Sequence, residues 1–107
     1  VNVEAIEKEK IDTWFAEWTE LEGKIHAAHD ARNGEAKGLM EEAILLFERL
    51  VQEAGDEVLP INAVERLTFI KAKPGQYACY RQLVELFKET KKRAARLRLQ
   101  AAKNQKI

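Results

Sequence analysis

Residues 11–28 read IDTWFAEWTELEGKIHAA, and the spacing of the apolar side chains in this stretch decides the fold. Ile11, Trp14, Phe15, Trp18, Leu21, Ile25 and Ala28 recur at intervals of three and four, the period that gathers side chains on one face of an α-helix. A strand would need alternation at every second residue. Followed outward, the pattern predicts a first helix from about Val3 to Ala31. Gly23 interrupts it at a cost of about 1 kcal/mol relative to alanine, so a bend or break is expected there as an alternative to a straight helix. Asn33-Gly34 tolerates a left-handed backbone and turns the chain.

The same period continues downstream. Leu39, Met40, Ala43, Ile44, Phe47, Leu50, Val51 and Ala54 predict a second helix over about Glu35 to Ala54, closed by Gly55-Asp56. Asn62 with Glu65 three residues on resembles a capping box and opens a short third helix, about Ala63 to Ala72. Pro74 ends it, because proline disfavours helical geometry at Lys73 and has no amide hydrogen to donate. Tyr77, Tyr80, Leu83, Val84, Phe87, Ala94 and Ala95 mark a fourth helix from about Gly75 to Gln100, a kinked continuous helix through Pro74 being the alternative. Short connections favour antiparallel neighbours. Residues 1–107 are therefore expected to form one all-α domain, a compact four-helix bundle with a short third helix and a long basic C-terminal helix. Leu45 on the charged side of the second helix, and Phe69 opposite the Val64, Leu67 and Ile70 face of the third, are candidates for exposure.

Composition agrees with helices: the chain is 34% charged and 46% hydrophobic, with only two prolines and five glycines. No apolar run reaches the length of a membrane span, and the lysine-rich start lacks the apolar stretch of a secretory signal, so a cytoplasmic location is expected. Catalytic chemistry finds no foothold. There is no serine, Cys79 has no histidine nearby in sequence, and no glycine-rich phosphate loop is present. The expectation is a protein that is not an enzyme, with no cofactor and no small-molecule substrate. Glu22, His26 and His29 share a helix face, but a di-iron bundle needs Glu-x-x-His pairs that this chain lacks, so no metal is expected. Trp14, Phe15 and Trp18 are expected to anchor the core rather than a ligand cage.

Zero net charge conceals a strong polarity along the chain. Residues 1–57 carry 15 acidic and 6 basic groups, residues 88–107 carry 8 basic groups and one acid. Lys88, Lys92 and Arg96 project with Arg81 from one side of the fourth helix, and Arg93, Arg98, Lys103 and Lys106 thicken its positive end. Three roles compete for this ridge. It can be a solvated helix terminus, favoured by the macrodipole and by pairs such as Glu89 with Arg93. It can meet the acidic half of the chain, within one molecule or across an oligomer. It can also contact the phosphates of nucleic acid, although the acidic half would repel such a polyanion.

The stretch Leu59 to Glu89, LPINAVERLTFIKAKPGQYACYRQLVELFKE, contains Glu65-Arg66-Leu67, Phe69-Ile70, a Lys-x-Lys-Pro turn ending at Pro74, Gln76-Tyr77, and Gln82-Leu83 running into Glu85-Leu86-Phe87. In these features it resembles the YpoC-like family of small helical bacterial proteins. The resemblance implies a helical domain in the bacterial cytoplasm and supplies no activity or catalytic residue. It draws attention to Arg66, Lys73, Gln76, Tyr77 and Arg81, near one helical corner, as a candidate interaction surface. For each a structural role competes: Arg66 can bond helix-end carbonyls, and Tyr77 can pack with its hydroxyl in water. The function expected is that of a non-catalytic interaction module, with a protein partner or a second copy. Nucleic-acid binding through Lys88, Lys92 and Arg96 is the alternative.

Overall fold

The computed structural model describes residues 1–104. Four α-helices, α1 (Lys8–Ala31), α2 (Ala36–Ala54), α3 (Ala63–Ala72) and α4 (Tyr77–Asn104), are joined by short connections, with 3-10 turns at Glu4–Ile6 and Asp56–Val58. No strand occurs among the described residues. The all-helical expectation holds.

The helix ends differ in informative ways. α1 starts at Lys8 because Glu7 is extended (φ −55°, ψ 145°) and separates the helix from the preceding 3-10 turn. That break lets Ile6 turn wholly into the core and Asn2 donate its backbone N–H to the Ala54 carbonyl at 2.8 Å. Gly23 sits exposed within an unbroken α1. The left-handed residue that ends α1 is Arg32 (φ 52°), followed by Gly34 (φ 78°). Asn33 instead accepts the Glu35 N–H at 3.0 Å through Oδ1, a side-chain turn leading into α2. The capping box expected at Asn62 does not form. Asn62 is itself left-handed (φ 58°), not in the extended conformation from which an N-cap side chain reaches back, and it makes no capping bond. Lys73, at φ −144° and ψ 67°, breaks the chain cleanly, so α3 and α4 are separate helices; α4 begins two residues later than expected and continues to Asn104.

Aromatic contacts fix the arrangement. Phe87 of α4 meets Phe15 and Trp18 of α1 and Phe47 of α2, while Tyr77 and Tyr80 meet His29 at the far end of α1. Arg98, nearer the end of α4, reaches the Ile6 carbonyl at 2.8 Å. α4 therefore runs antiparallel to α1. Its start lies beside the start of α2, where Gly75 abuts Lys37, and Arg93 reaches Glu57 just beyond the end of α2, so α2 and α4 run parallel. α3 returns between them, held to α2 by Lys71–Glu48 (2.6 Å) and to α4 along its length. The result is an up-down-up-down cycle in which α3 is too short to span the bundle.

The core contains every anchor expected at Ile11, Phe15, Trp18, Ile25, Met40, Phe47, Leu50, Leu83 and Phe87. Trp14 is only partly buried, at its edge. Leu46, Leu86 and Thr90 are also buried although they fall outside the expected stripes, because a helix in a cycle has neighbours on two sides and buries a wider arc than one stripe. Val64, expected to face inward, is 68% exposed: Ala63 and Ile70 define the buried side of α3 instead. Leu45 and Phe69 are exposed.

Trp18 is 5% exposed and lies flat on Phe87, with ring centroids 4.1 Å apart. Trp18→Ala should cost roughly 3–5 kcal/mol of unfolding free energy in a denaturant titration, and Trp14→Ala clearly less.

Candidate interaction surface

The corner between α3 and α4 is built on Arg66. Its side chain leaves α3 toward α4 and is largely enclosed. Nε and Nη2 donate to Gln82 Oε1 (3.1 and 3.0 Å), Nη1 and Nη2 donate to the two oxygens of Glu89 (3.2 and 2.6 Å), and Nη1 also donates to the Ile61 carbonyl (3.2 Å). A guanidinium has five N–H donors, and five bonds are made here. Arg66 is thus consumed in joining two helices and offers nothing to a partner. The bidentate pairing holds the Glu89 carboxyl below its ordinary value of 4.5, chiefly through the hydrogen bonds from Arg66. Glu89 is therefore unavailable to Arg93, and the pair expected along α4 is replaced by one between helices.

The other four corner residues are placed differently. Lys73, Gln76, Tyr77 and Arg81 are all exposed, and Tyr77 keeps 52% of its surface in water. Gln76 contributes its backbone, donating N–H to the Lys73 carbonyl and accepting from Cys79 and Tyr80, so it positions the start of α4 while its side chain is exposed. Tyr77 leans edge-on against His29 at 5.3 Å, and the buried Tyr80 meets both that imidazole and Tyr77 at 5.7 Å, so the three rings form one cluster. His26 pairs with Asp30 at 3.4 Å. Tyr80 lies near both histidines, His29 Nε2 is buried without a hydrogen-bond partner among the described residues, and no group of three metal-ligating side chains comes together among them.

The basic ridge divides in two. Arg93 donates from Nε and Nη2 to the Glu57 carbonyl (3.0 and 2.7 Å), and Arg98 donates to the Ile6 carbonyl. Arg93 thereby fastens the 3-10 turn after α2, and Arg98 the one before α1, against the bundle. Lys88, Lys92 and Arg96 face solvent, and none is in an ion pair among the described residues. Lys103 is exposed near the end of α4, and Lys106 lies outside the described residues.

One further feature has no counterpart in the sequence pattern. Between α2 and α3 runs an open groove, lined by Ile44, Leu45, Val51, Leu59 and Leu67 in two hollows of about 320 Å³ each, with Glu48 bordering both. Its origin is the brevity of α3. No helix of the described residues is long and apolar enough to cross a membrane. Cys79 is fully buried, its thiol pushed up by desolvation and pointed at the Phe69 carbonyl (3.7 Å), the setting of an inert structural cysteine.

A family model described as YpoC-like protein matches residues 8–102, which takes in the corner, the Arg66 network and the groove. No curated protein and no solved structure matches the chain.

Two measurements check this geometry. Because the Glu89 pKa is lowered on folding, its contribution is present above about pH 4.5 and lost as the pH falls through the depressed folded value. Glu89→Gln should flatten the acid limb of the stability curve, and Arg66→Ala should cost about 2 kcal/mol at neutral pH. Cys79 should react with a thiol reagent only at the rate of unfolding; rapid labelling of the native protein would contradict its burial.

Proposed function

We propose that this chain, which belongs to the YpoC-like protein family, is a non-catalytic protein-interaction module of the bacterial cytoplasm. Its contact surface is α3 and the corner leading into α4. One observation carries the proposal. Of the eight large apolar side chains exposed among the described residues, four fall between residues 61 and 77: Ile61 (78%), Val64 (68%), Phe69 (51%) and Tyr77 (52%). Scattered exposed apolar residues are ordinary, and half of the exposed set falling on one short helix and the turns at its two ends supports reading this segment as the contact surface. Lys73, Gln76 and Arg81 flank Tyr77 at the corner with exposed polar groups that have no side-chain partner among the described residues, a composition suited to a binding patch. The enclosed Arg66 supports the patch from beneath.

A second proposal has its own support. Lys88, Lys92 and Arg96 expose three cations along α4 with no ion-pair partner among the described residues, the chemistry that phosphate backbones require. Against it stands the excess of acids in residues 1–57.

Two tests separate these roles. The full chain, immobilised, should retain a protein from lysate of the source cells, and Phe69→Ala with Tyr77→Ala should abolish retention without loss of helicity; equal retention by the variant would refute the surface. Titration with labelled duplex and single-stranded nucleic acid should show no binding at low salt. Affinity that falls steeply with salt and disappears in the Lys88, Lys92 and Arg96 triple alanine variant would favour the second proposal instead.

A further inference from the structure

α3 is fastened to the bundle on terms unlike those of the other helices. α1, α2 and α4 each turn five or more side chains fully into the core, whereas α3 turns in Ala63 and Ile70, with Leu67 partly buried beside them. It packs along α4, tied there by the Arg66 fork onto Gln82 and Glu89. Toward α2 the backbones stand apart across the open groove, which Lys71 and Glu48 bridge at 2.6 Å. The chain bends sharply at both ends of the helix, at Asn62 (φ 58°) and at Lys73 (φ −144°, ψ 67°). Beyond each bend stands an anchor. On one side Pro60 and Val58 are buried and Arg93 holds the Glu57 carbonyl. On the other Pro74 is buried and the Gln76 carbonyl accepts the amides of Cys79 and Tyr80.

We infer that residues 61–73 form a strap that opens as one unit between these anchors while α1, α2 and α4 stay packed. Proteins open sub-globally where an element buries little apolar surface. Opening here uncovers one isoleucine, one alanine and part of one leucine. It returns Arg66, Lys71, Glu48, Gln82 and Glu89 to water, which replaces most of the hydrogen bonding they give up. A helix of ten residues holds little structure once detached, so the released strap is disordered. The contacts of Phe87 with Trp18 and Phe47 involve no residue of α3 and remain. The last turn of α3 stands over Cys79, whose Sγ is directed at the Phe69 carbonyl, and the groove beside it reaches Phe47. The unfolding that admits a thiol reagent to Cys79 is therefore that of the strap alone. This motion needs no partner. Ile61, Val64 and Phe69 of the contact surface proposed above all lie on the strap, so that surface is assembled only while the strap is closed.

Native-state hydrogen exchange of the full chain tests the strap. Amides of residues 66–72 should exchange through an opening about tenfold or more as populated as global unfolding, with a weak dependence on urea. Core amides of α1 and α4, such as those of Ile25 and Phe87, should exchange only by global unfolding. Thiol labelling of Cys79 gives a second readout, at reagent concentrations low enough for the rate to report the open population. Arg66→Ala should raise that rate about thirtyfold, in step with the stability loss given for it above. Ile25→Val trims a fully buried residue of α1 and lowers global stability, yet should leave the rate unchanged. Equal exchange free energies and urea slopes in α3 and α4 would overturn the inference, as would Cys79 labelling that rises in Ile25→Val as much as its global unfolding does. The exchange measurement uses the unsubstituted chain, so the outcome does not hinge on either variant folding.

Discussion

Phe87 holds the molecule together. Its ring stacks on Trp18 at 4.1 Å and takes the edges of Phe15 at 5.8 Å and Phe47 at 5.1 Å, so one side chain fixes α1, α2 and α4 at a common level. Aromatic pairs in these geometries add stabilisation beyond the area they bury. Around this contact the other helical choices are set: α4 must run antiparallel to α1, and its two ends must then meet the end of α1 and the 3-10 turn beside Ile6. α3 is absent from the aromatic cluster. It enters the fold on different terms.

Ten residues form a helix that is marginal in isolation, and α3 turns only Ala63 and Ile70 fully into the core. The shortfall is met by polar geometry. Arg66 spends all five donors on α4 and on the turn before α3, and Lys71 bonds Glu48 across the groove. Hydrogen bonds of this kind define a register more sharply than apolar contact does, because a guanidinium plane accepts its carboxylate in few orientations. The small helix is thereby held in place while most of its apolar surface stays outside. A helix tied by polar bonds to both its neighbours while Val64 and Phe69 stay exposed is poorly explained by the needs of the core alone.

The sequence made the helices legible because their periodicity is a local property: the apolar series of α1 and α2, and the stop at Pro74, follow from residues close together in the chain. It made their ends less legible. The left-handed turn at Arg32 and the failed cap at Asn62 depend on where the next helix has to go, which no local window records. The same limit applied to side-chain pairing. Glu89 and Arg93 are four apart on one helix and looked like partners, yet Glu89 faces α3 and is taken by Arg66, twenty-three residues away. Spacing reports which groups share a helix face, and only the packing of helices reports which of them meet. Of the candidate corner, Lys73, Gln76, Tyr77 and Arg81 were recognisable as surface; the internal role of Arg66 was one of two roles open to it, and the groove beside α3 could not be seen before the helices were placed.

Charge shows how the fold sorts a property that is simple along the chain. The basic run of α4 reads as one ridge, but successive residues of a helix differ by 100°, so it cannot face one way. Arg93 and Arg98 turn back to the bundle and bond carbonyl oxygens of Glu57 and Ile6, leaving the carboxylates of the acidic half without them. Arginine suits that task, since its planar fork can hold a backbone oxygen while its stem packs on apolar surface. Lys88, Lys92 and Arg96 turn outward and keep their charge for solvent or a partner. The polarity between the two halves of the chain is consequently not cancelled inside the molecule. It survives as surface charge, with the outward cations of α4 on one helix and the exposed carboxylates of the acidic half on the helices it packs against.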